Sequence, residues 1–377
     1  MTKIALRNFW FQVHKWIGLL LAVAVIPISI TGAALVWHDG LEKLLHPDRF
    51  AVSGQAVLPP QTYAAAARGA LAPGERLSRI EFPQDSGEPV AAQASRPGKA
   101  KGRPVRTVVY LDPADARVIE TTASNASAIQ FMHILHGSLF IPEVGRKVVG
   151  WIGWAMLASS LTGLWLWWPT VGRWVRGLRW RRHRNTDTNL HYLMGFWISV
   201  PLAILSFTGV WISFPALFNP LVEPVRAERP KGPDRGALMR ARPIEEPATS
   251  LDTALARAAA AAPGDVRAIG WPTDVKTEWS IALDGGRTVA VTDADGTARI
   301  EPARGGRDEA WSVAQWMRRI HDGQQMPFAW QVIVFLGGLL PALLSITGII
   351  MWLRARGWRA ELKQRRKARA RAAVAAE

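Results

Sequence analysis

The sequence contains no cysteine among its 377 residues. That excludes disulfides, thiolate metal sites, iron–sulfur clusters and the C-x-x-C-H attachment of haem, so any bound metal or haem must rely on His, Met, Tyr or carboxylates. A second absence is regional. Four long stretches, Ile17–Trp37, Val148–Trp168, Tyr192–Phe218 and Met326–Leu353, hold no Asp, Glu, Lys or Arg. A third concerns motifs: there is no Ser/His/Asp arrangement, phosphate loop or H-E-x-x-H sequence of the kind a hydrolase would use.

The uncharged stretches are long enough to cross a bilayer, which takes roughly 20 helical residues. Tryptophan crowds their ends (Trp10, Trp16, Trp37, Trp151, Trp154, Trp167, Trp168, Trp330, Trp352, Trp358), as in an interfacial belt. Four transmembrane helices are therefore expected. The first is read as a retained anchor, because Trp37-His38-Asp39 stands where a small-residue cleavage site would follow a signal peptide.

Basic residues set the expected orientation. Lys3, Arg7 and Lys15 precede the first helix, and Arg173, Arg176, Arg179, Arg181, Arg182 and Arg184 fill the loop between helices two and three. Nine more, from Arg354 to Arg371, follow helix four. Positive charge at helix ends stays cytoplasmic, so both termini and the short loop are expected inside and the two long loops outside. The net charge of +16 is accounted for by this orientation and by anionic lipid, not by nucleic acid. The resulting division is helix one (10–38), outer module one (39–130), a His-bearing segment with helix two (131–169) and a basic loop (170–190). Helix three (191–218), outer module two (219–320), a His-bearing segment with helix four (321–353) and a basic tail (354–377) complete it.

The four apolar runs share a signature: Ser29-Ile30-Thr31-Gly32, Ser160-Leu161-Thr162-Gly163, Ser206-Phe207-Thr208-Gly209 and Ser345-Ile346-Thr347-Gly348. Small residues and hydroxyls at these positions are read as helix packing. The motifs also align two halves of the chain. His14 and His191 each lie 17 residues before the Thr of a motif, and His136 and His321 each lie 26 before theirs. The chain is thus expected to be two parallel repeats about an axis along the membrane normal. The outer loops repeat too. Ala-rich helices are expected at Gln61–Leu71 and Leu251–Ala262, followed by strands at Leu77–Phe82, Arg106–Leu111 and Arg117–Glu120 in the first loop. The second has strands at Val266–Trp271, Glu278–Leu283, Thr288–Thr292 and Ala298–Glu301. Closing helices are expected at Ala126–His136 and Asp308–His321, and Ser95–Arg103 is read as a mobile polar loop.

Residues related by a two-fold axis meet across it when they face inward. His14 with His191 then form a pair at the cytoplasmic side, and His136 with His321 a pair at the periplasmic side. Zinc would need three or four ligands, and no further ligand accompanies either pair. Two imidazoles alone suit haem iron and leave no open position, which favours electron transfer. The expected cofactor is haem b, two per chain, with these four histidines as axial ligands. His133, three residues before His136, is an additional candidate ligand, although its counterpart is Arg318. Arg318 and Arg319 are candidates for pairing with haem propionates. His38, His46 and His183 are read as structural.

Several stretches resemble the PepSY-associated transmembrane proteins: Val13-His14-Lys15-Trp16-Ile17-Gly18-Leu19, Leu135-His136-Gly137-Ser138-Leu139 with Gly145-Arg146, Trp165-Leu166-Trp167-Trp168-Pro169, Asn189-Leu190-His191, and Ser345-Ile346-Thr347-Gly348 with Met351-Trp352. The outer loops resemble PepSY domains. The resemblance spans nearly the whole chain. It implies an α-helical membrane protein of the bacterial inner membrane, with a periplasmic PepSY-like α+β module in each repeat. It also implies a tie to iron uptake, some members being haem-containing ferrisiderophore reductases. The expected activity is reduction of a ferric siderophore at the periplasmic face, releasing Fe(II), with electrons from a quinol or a cytoplasmic reductase. Two alternatives remain: a non-enzymatic scaffold binding a periplasmic protein or peptide by its exposed strands, and a transporter component for an iron chelate.

Overall fold

The computed structural model describes residues 2–96, 106–123, 126–168, 174–180, 183–222, 237–238, 241–301 and 312–374. Most of the expected loop Ser95–Arg103 and the start of the expected helix Asp308–His321 lie outside them. The chain divides into a helical unit (Met1–Trp37, Met132–Pro224, Val313–Glu377) and a sheet unit (His38–Phe131, Val225–Ser312).

The helical unit holds four helices long and apolar enough to cross a membrane: α1 (Lys3–Leu35), α5 (Gly145–Trp167), α6 (Thr186–Ser213) and α10 (Phe328–Val374). Two shorter helices, α4 (Ala128–Ser138) and α9 (Val313–Asp322), precede α5 and α10. Packing runs in a ring, α1 on α5, α5 on α6, α6 on α10 and α10 on α1, so α1 and α6 stand on one diagonal. Glycine permits the closest approach: a Cβ at Gly338 would lie 2.7 Å from Ala33 N and 2.9 Å from Ser29 O. Inside the ring sit small and hydroxyl residues, among them Ala22, Ser29, Thr31, Ser160, Thr162, Ser206 and Thr208. Most of these hydroxyls bond back to their own helix, as Thr31 does to Pro27 O at 2.7 Å and Ser160 to Leu157 O at 2.8 Å, which satisfies them away from water. Helix α10 runs on through the basic tail, well beyond the expected span 326–353. The tail is rich in Ala, Arg, Lys and Glu, which are strong helix formers, and nothing there breaks the helix.

The sheet unit is one antiparallel sheet of eight strands, in the order β4-β3-β2-β1-β5-β6-β7-β8. The strands are β1 (Arg76–Glu81), β2 (Val90–Ser95), β3 (Arg106–Leu111), β4 (Val118–Ala123), β5 (Val266–Gly270), β6 (Glu278–Leu283), β7 (Thr288–Thr292) and β8 (Ala298–Glu301). Its two four-strand halves join at Ile80↔Ile269. Two separate small modules would each expose an edge there; pairing removes both edges. Helices α3 (Pro60–Gly69) and α8 (Leu251–Ala261) cover one face, setting Tyr63, Ala64, Ala67, Ala254 and Ala258 against Ile80, Val109, Leu111, Ile269, Trp279 and Ile281. Strand β2 was not expected, because Val-Ala-Ala-Gln-Ala-Ser has little β-propensity; its alternation of buried Val90, Ala92 and Ala94 makes it a strand in context. Helices α2 (His38–Leu45) and α7 (Pro215–Val222) are likewise additions to the expected elements.

Candidate functional site

Four histidine rings, from segments far apart in sequence, meet as two pairs inside the helical unit. His14 on α1 faces His191 on α6, with ring centres 6.4 Å apart and ring planes nearly perpendicular at 88°. His136 on α4 faces His321 on α9 at 6.0 Å and 49°. The first pair lies at the end of the bundle that carries Arg7, Lys15 and the basic start of the α10 tail, where Arg354 bonds Asp187 at 2.7 Å. The second pair, carried by α4 and α9, lies against α1 and α6 further along their length. His136 reaches the carbonyl of Ile28, fourteen residues along α1 from His14 and hence about 21 Å of helix away.

Local structure delivers each ring. His14 and His191 project inward from diagonal helices. His321 stands in the last turn of α9, which Gly323 ends in a left-handed conformation (φ +75°) while its N–H returns to Arg319 O at 2.9 Å. After His136 the same change of direction is made without glycine at the left-handed positions: Leu139 and Phe140 take φ +51° and +57°.

The hydrogen bonds decide the tautomer. His14 Nδ1 lies 3.1 Å from Ser159 O and 3.1 Å from Thr162 Oγ1. His136 Nδ1 lies 2.9 Å from Ile28 O. His321 Nδ1 lies 3.0 Å from Leu205 O and 3.1 Å from Thr208 Oγ1. His191 Nδ1 lies 2.9 Å from Thr347 Oγ1. A carbonyl can only accept, and the Thr347 hydroxyl already donates to Leu343 O and Leu344 O, so each Nδ1 carries a proton; in the neutral ring Nε2 then keeps its lone pair. That is the state in which an imidazole binds a metal, its other nitrogen held by a backbone group.

Two cavities flank the His14/His191 pair. One of about 270 Å³ is lined by Arg7, Ser159, Gly163 and Trp167 beside the two rings. The other, of about 390 Å³, is lined by Lys15, Ser345, Gly348, Trp352, Arg356 and Arg359 beside the same rings. Arg7 also reaches the last carbonyls of α5, donating to Trp168 O at 3.1 Å and to Leu166 O, where a cation suits the helix C-terminus. Among the described residues no three His, Asp or Glu converge as a metal-ion cluster.

Of the other expected site residues, His133 and Arg318 are exposed on α4 and α9 and are not part of either ring pair. Arg319 donates to Gln325 O at 2.6 Å and lies over the Trp316 ring. His38 bonds Asp39 at 3.1 Å, and His183 packs on Tyr192 at 4.6 Å.

Reading the Ser-x-Thr-Gly motifs as helix packing alone missed their place here. Thr162, Thr208 and Thr347 touch histidine rings, and a ring stands over each motif's glycine. The equal spacing from His to Thr carried that signal, but it served only to align the halves.

A family model for the PepSY-associated TM region matches residues 11–355, a span that includes all four apolar runs and all four paired histidines. No curated protein matches the chain. The chain belongs to the PepSY-associated transmembrane family.

Proposed function

We propose that this membrane protein is a two-haem electron conduit of the bacterial inner membrane, built as two parallel repeats, that reduces a ferric siderophore on the periplasmic side. His14 with His191 would hold one haem b and His136 with His321 the other. The observation that carries this reading is the pairing itself: two rings about 6 Å apart, twice, each with Nδ1 hydrogen-bonded to another helix. Two imidazoles on opposite sides of one first-row metal, each nitrogen at about 2.0 Å, have ring centres roughly 6 Å apart, so the residues fit the group. With two imidazoles and no third ligand the set suits a haem iron rather than zinc.

Haem held by these pairs would supply a one-electron couple, and two imidazoles with no further ligand would favour electron transfer over binding of small ligands. The protein's own residues orient the imidazoles and provide the cavities beside His14 and His191. Lys15, Arg356 and Arg359 place positive charge at their rim, where carboxylates would be held. The pairs lie along the bundle axis, so charge entering from a quinol or a cytoplasmic reductase at the basic end would be carried towards the opposite face. Orientation follows from the basic ends, which mark the cytoplasmic side. Delivering one electron to an Fe(III) chelate there yields Fe(II), which hard oxygen chelators hold less strongly.

The test is a visible spectrum of the detergent-purified protein, oxidised and dithionite-reduced, beside His14→Ala and His136→Ala variants. Sharp low-spin b-type bands, reduced by about half in each variant, are expected. A wild-type protein that stays colourless after reconstitution with haemin would sink the conduit. It would leave a scaffold that binds a periplasmic protein or peptide along its edge strands β4 and β8.

A further inference from the structure

We infer that the four Ser-x-Thr-Gly motifs are imidazole seats, in which the threonine, the carbonyl three residues before it and the following glycine position one histidine each. The role of the rings rests on the haem reading above; the seats themselves rest on contacts.

The register is the same four times. His14 sits on Ser159 O, Thr162 and Gly163, and His321 sits on Leu205 O, Thr208 and Gly209. His191 sits on Thr347 and Gly348, with Thr347 bonded to the Leu344 carbonyl at 3.1 Å. His136 sits on Ile28 O and Gly32, with Thr31 bonded to that same carbonyl at 3.1 Å. In every seat the histidine comes from another helix. Each threonine hydroxyl bonds back to the carbonyls three and four residues earlier, as Thr162 does to Ser159 O and Ala158 O and Thr347 to Leu344 O and Leu343 O. Helix packing alone needs small residues, but it does not require a histidine ring over the motif glycine at each one.

The glycine leaves room for the ring. A Cβ at Gly32 would lie 2.6 Å from His136 Cε1, and one at Gly209 2.9 Å from His321 Cε1. At Gly163 the distance to His14 Cε1 is 3.1 Å and at Gly348 to His191 Cε1 it is 3.6 Å. The first two are clashes, the third is tight and the fourth is ordinary contact. Elsewhere in a helix Gly→Ala raises helix propensity, so a defect graded in this order points to the ring.

The experiment has two arms on the full-length protein in detergent. In the first, ¹⁵N-histidine NMR of haem-free protein reads the tautomer directly. Wild type should show the Nδ1–H form at the paired histidines, Thr162→Ser and Thr347→Ser should keep it, and Thr162→Val with Thr347→Val should weaken it at His14 and His191 only. In the second, haem is titrated into the glycine variants. Gly32→Ala and Gly209→Ala should each weaken one of the two haem sites by about tenfold or more, as loss of an outer-shell partner does. Gly163→Ala should weaken the other site less, and Gly348→Ala should match wild type. Amide exchange in the sheet unit, unchanged from wild type, identifies variants that are folded. Folded Gly32→Ala with wild-type haem affinity, or Nε2–H tautomers at the paired histidines, would overturn the seats. A wild type that never binds haem but shows the Nδ1–H tautomer, lost in the valine variants, would overturn the conduit and keep the seats.

Discussion

In the helical unit Val23 is 82 % exposed and Trp197 65 %, while Ser29, Thr31, Ser206 and Thr208 are buried. In the sheet unit Ile80, Val109 and Trp279 are buried, and the charges Arg79, Arg117, Glu278 and Arg299 stand outside or pair at the surface. The two units sort the same residue types in opposite ways because their surroundings differ. Lipid rewards an apolar exterior and asks that interior hydroxyls find carbonyls. Water rewards an apolar interior. The four histidines belong to the first regime, where a polar group must be fully engaged, and each ring meets a carbonyl or a threonine hydroxyl and a neighbouring ring. Polar residues at membrane depth mark functional pathways for the same reason.

The comparison breaks most visibly if a core position of the sheet unit proves tolerant. Trp279, tilted against Trp271 with its indole N–H on Thr249 O, should cost about 3–5 kcal/mol when truncated to alanine. Hydrogen exchange across β6 and β7 should report the loss, and exchange left at wild-type level would mean that the buried face does not carry the sheet's stability. Next in size, Val23→Arg on the outer face of α1 should cost about 2–3 kcal/mol of membrane insertion. A glycosylation-mapping or protease-protection assay of insertion measures it; full insertion of the variant would argue against a lipid-facing surface there. The matched change Val118→Lys, at a 38 % exposed position of β4, should stay within about 0.5 kcal/mol.

A smaller effect sharpens the electrostatics of the sheet unit. Arg49, almost fully buried, donates to Glu120 at 2.9 and 3.0 Å and to Glu42 at 2.6 Å, and stacks on Tyr110. The hydrogen bond from Arg49 holds the Glu120 carboxyl below its ordinary value, against the opposing effect of burial. A folded pKa below the unfolded one means that the contribution is complete above the ordinary glutamate pKa. It is lost as pH falls through the folded value. Amide exchange at β4 should therefore accelerate as pH drops below about 4, beyond the intrinsic trend of exchange, and Glu120→Gln should flatten that dependence. A variant with the wild-type acid response would remove Glu120 from the account. The smallest effect is Gly348→Ala, which should leave stability unchanged or raise it by up to about 1 kcal/mol. A fall in thermal midpoint would show that His191 is held more tightly than its 3.6 Å contact indicates.

Much of the fold was legible because it rests on local patterns. Uncharged runs mark the four spans, and alternation marks seven of the eight strands. Helix α10 outran its apolar segment because propensity continues a helix where hydropathy stops. The paired histidines were legible through equal spacing from the motifs. Their seats were not, because Thr162 and His14 are 148 residues apart and a small-hydroxyl-glycine motif reads equally well as packing.

What the sequence determined by itself is therefore the solvent of each segment and the chemistry on offer: four apolar helices, no thiol, and four histidines in register. Tertiary structure alone decided which ring meets which, the joining of two half-sheets at Ile80 and Ile269, and the proton on each Nδ1. The reason is physical. Hydropathy and periodicity act along the chain, whereas a ring's tautomer and partner depend on a carbonyl that another helix brings within about 3 Å.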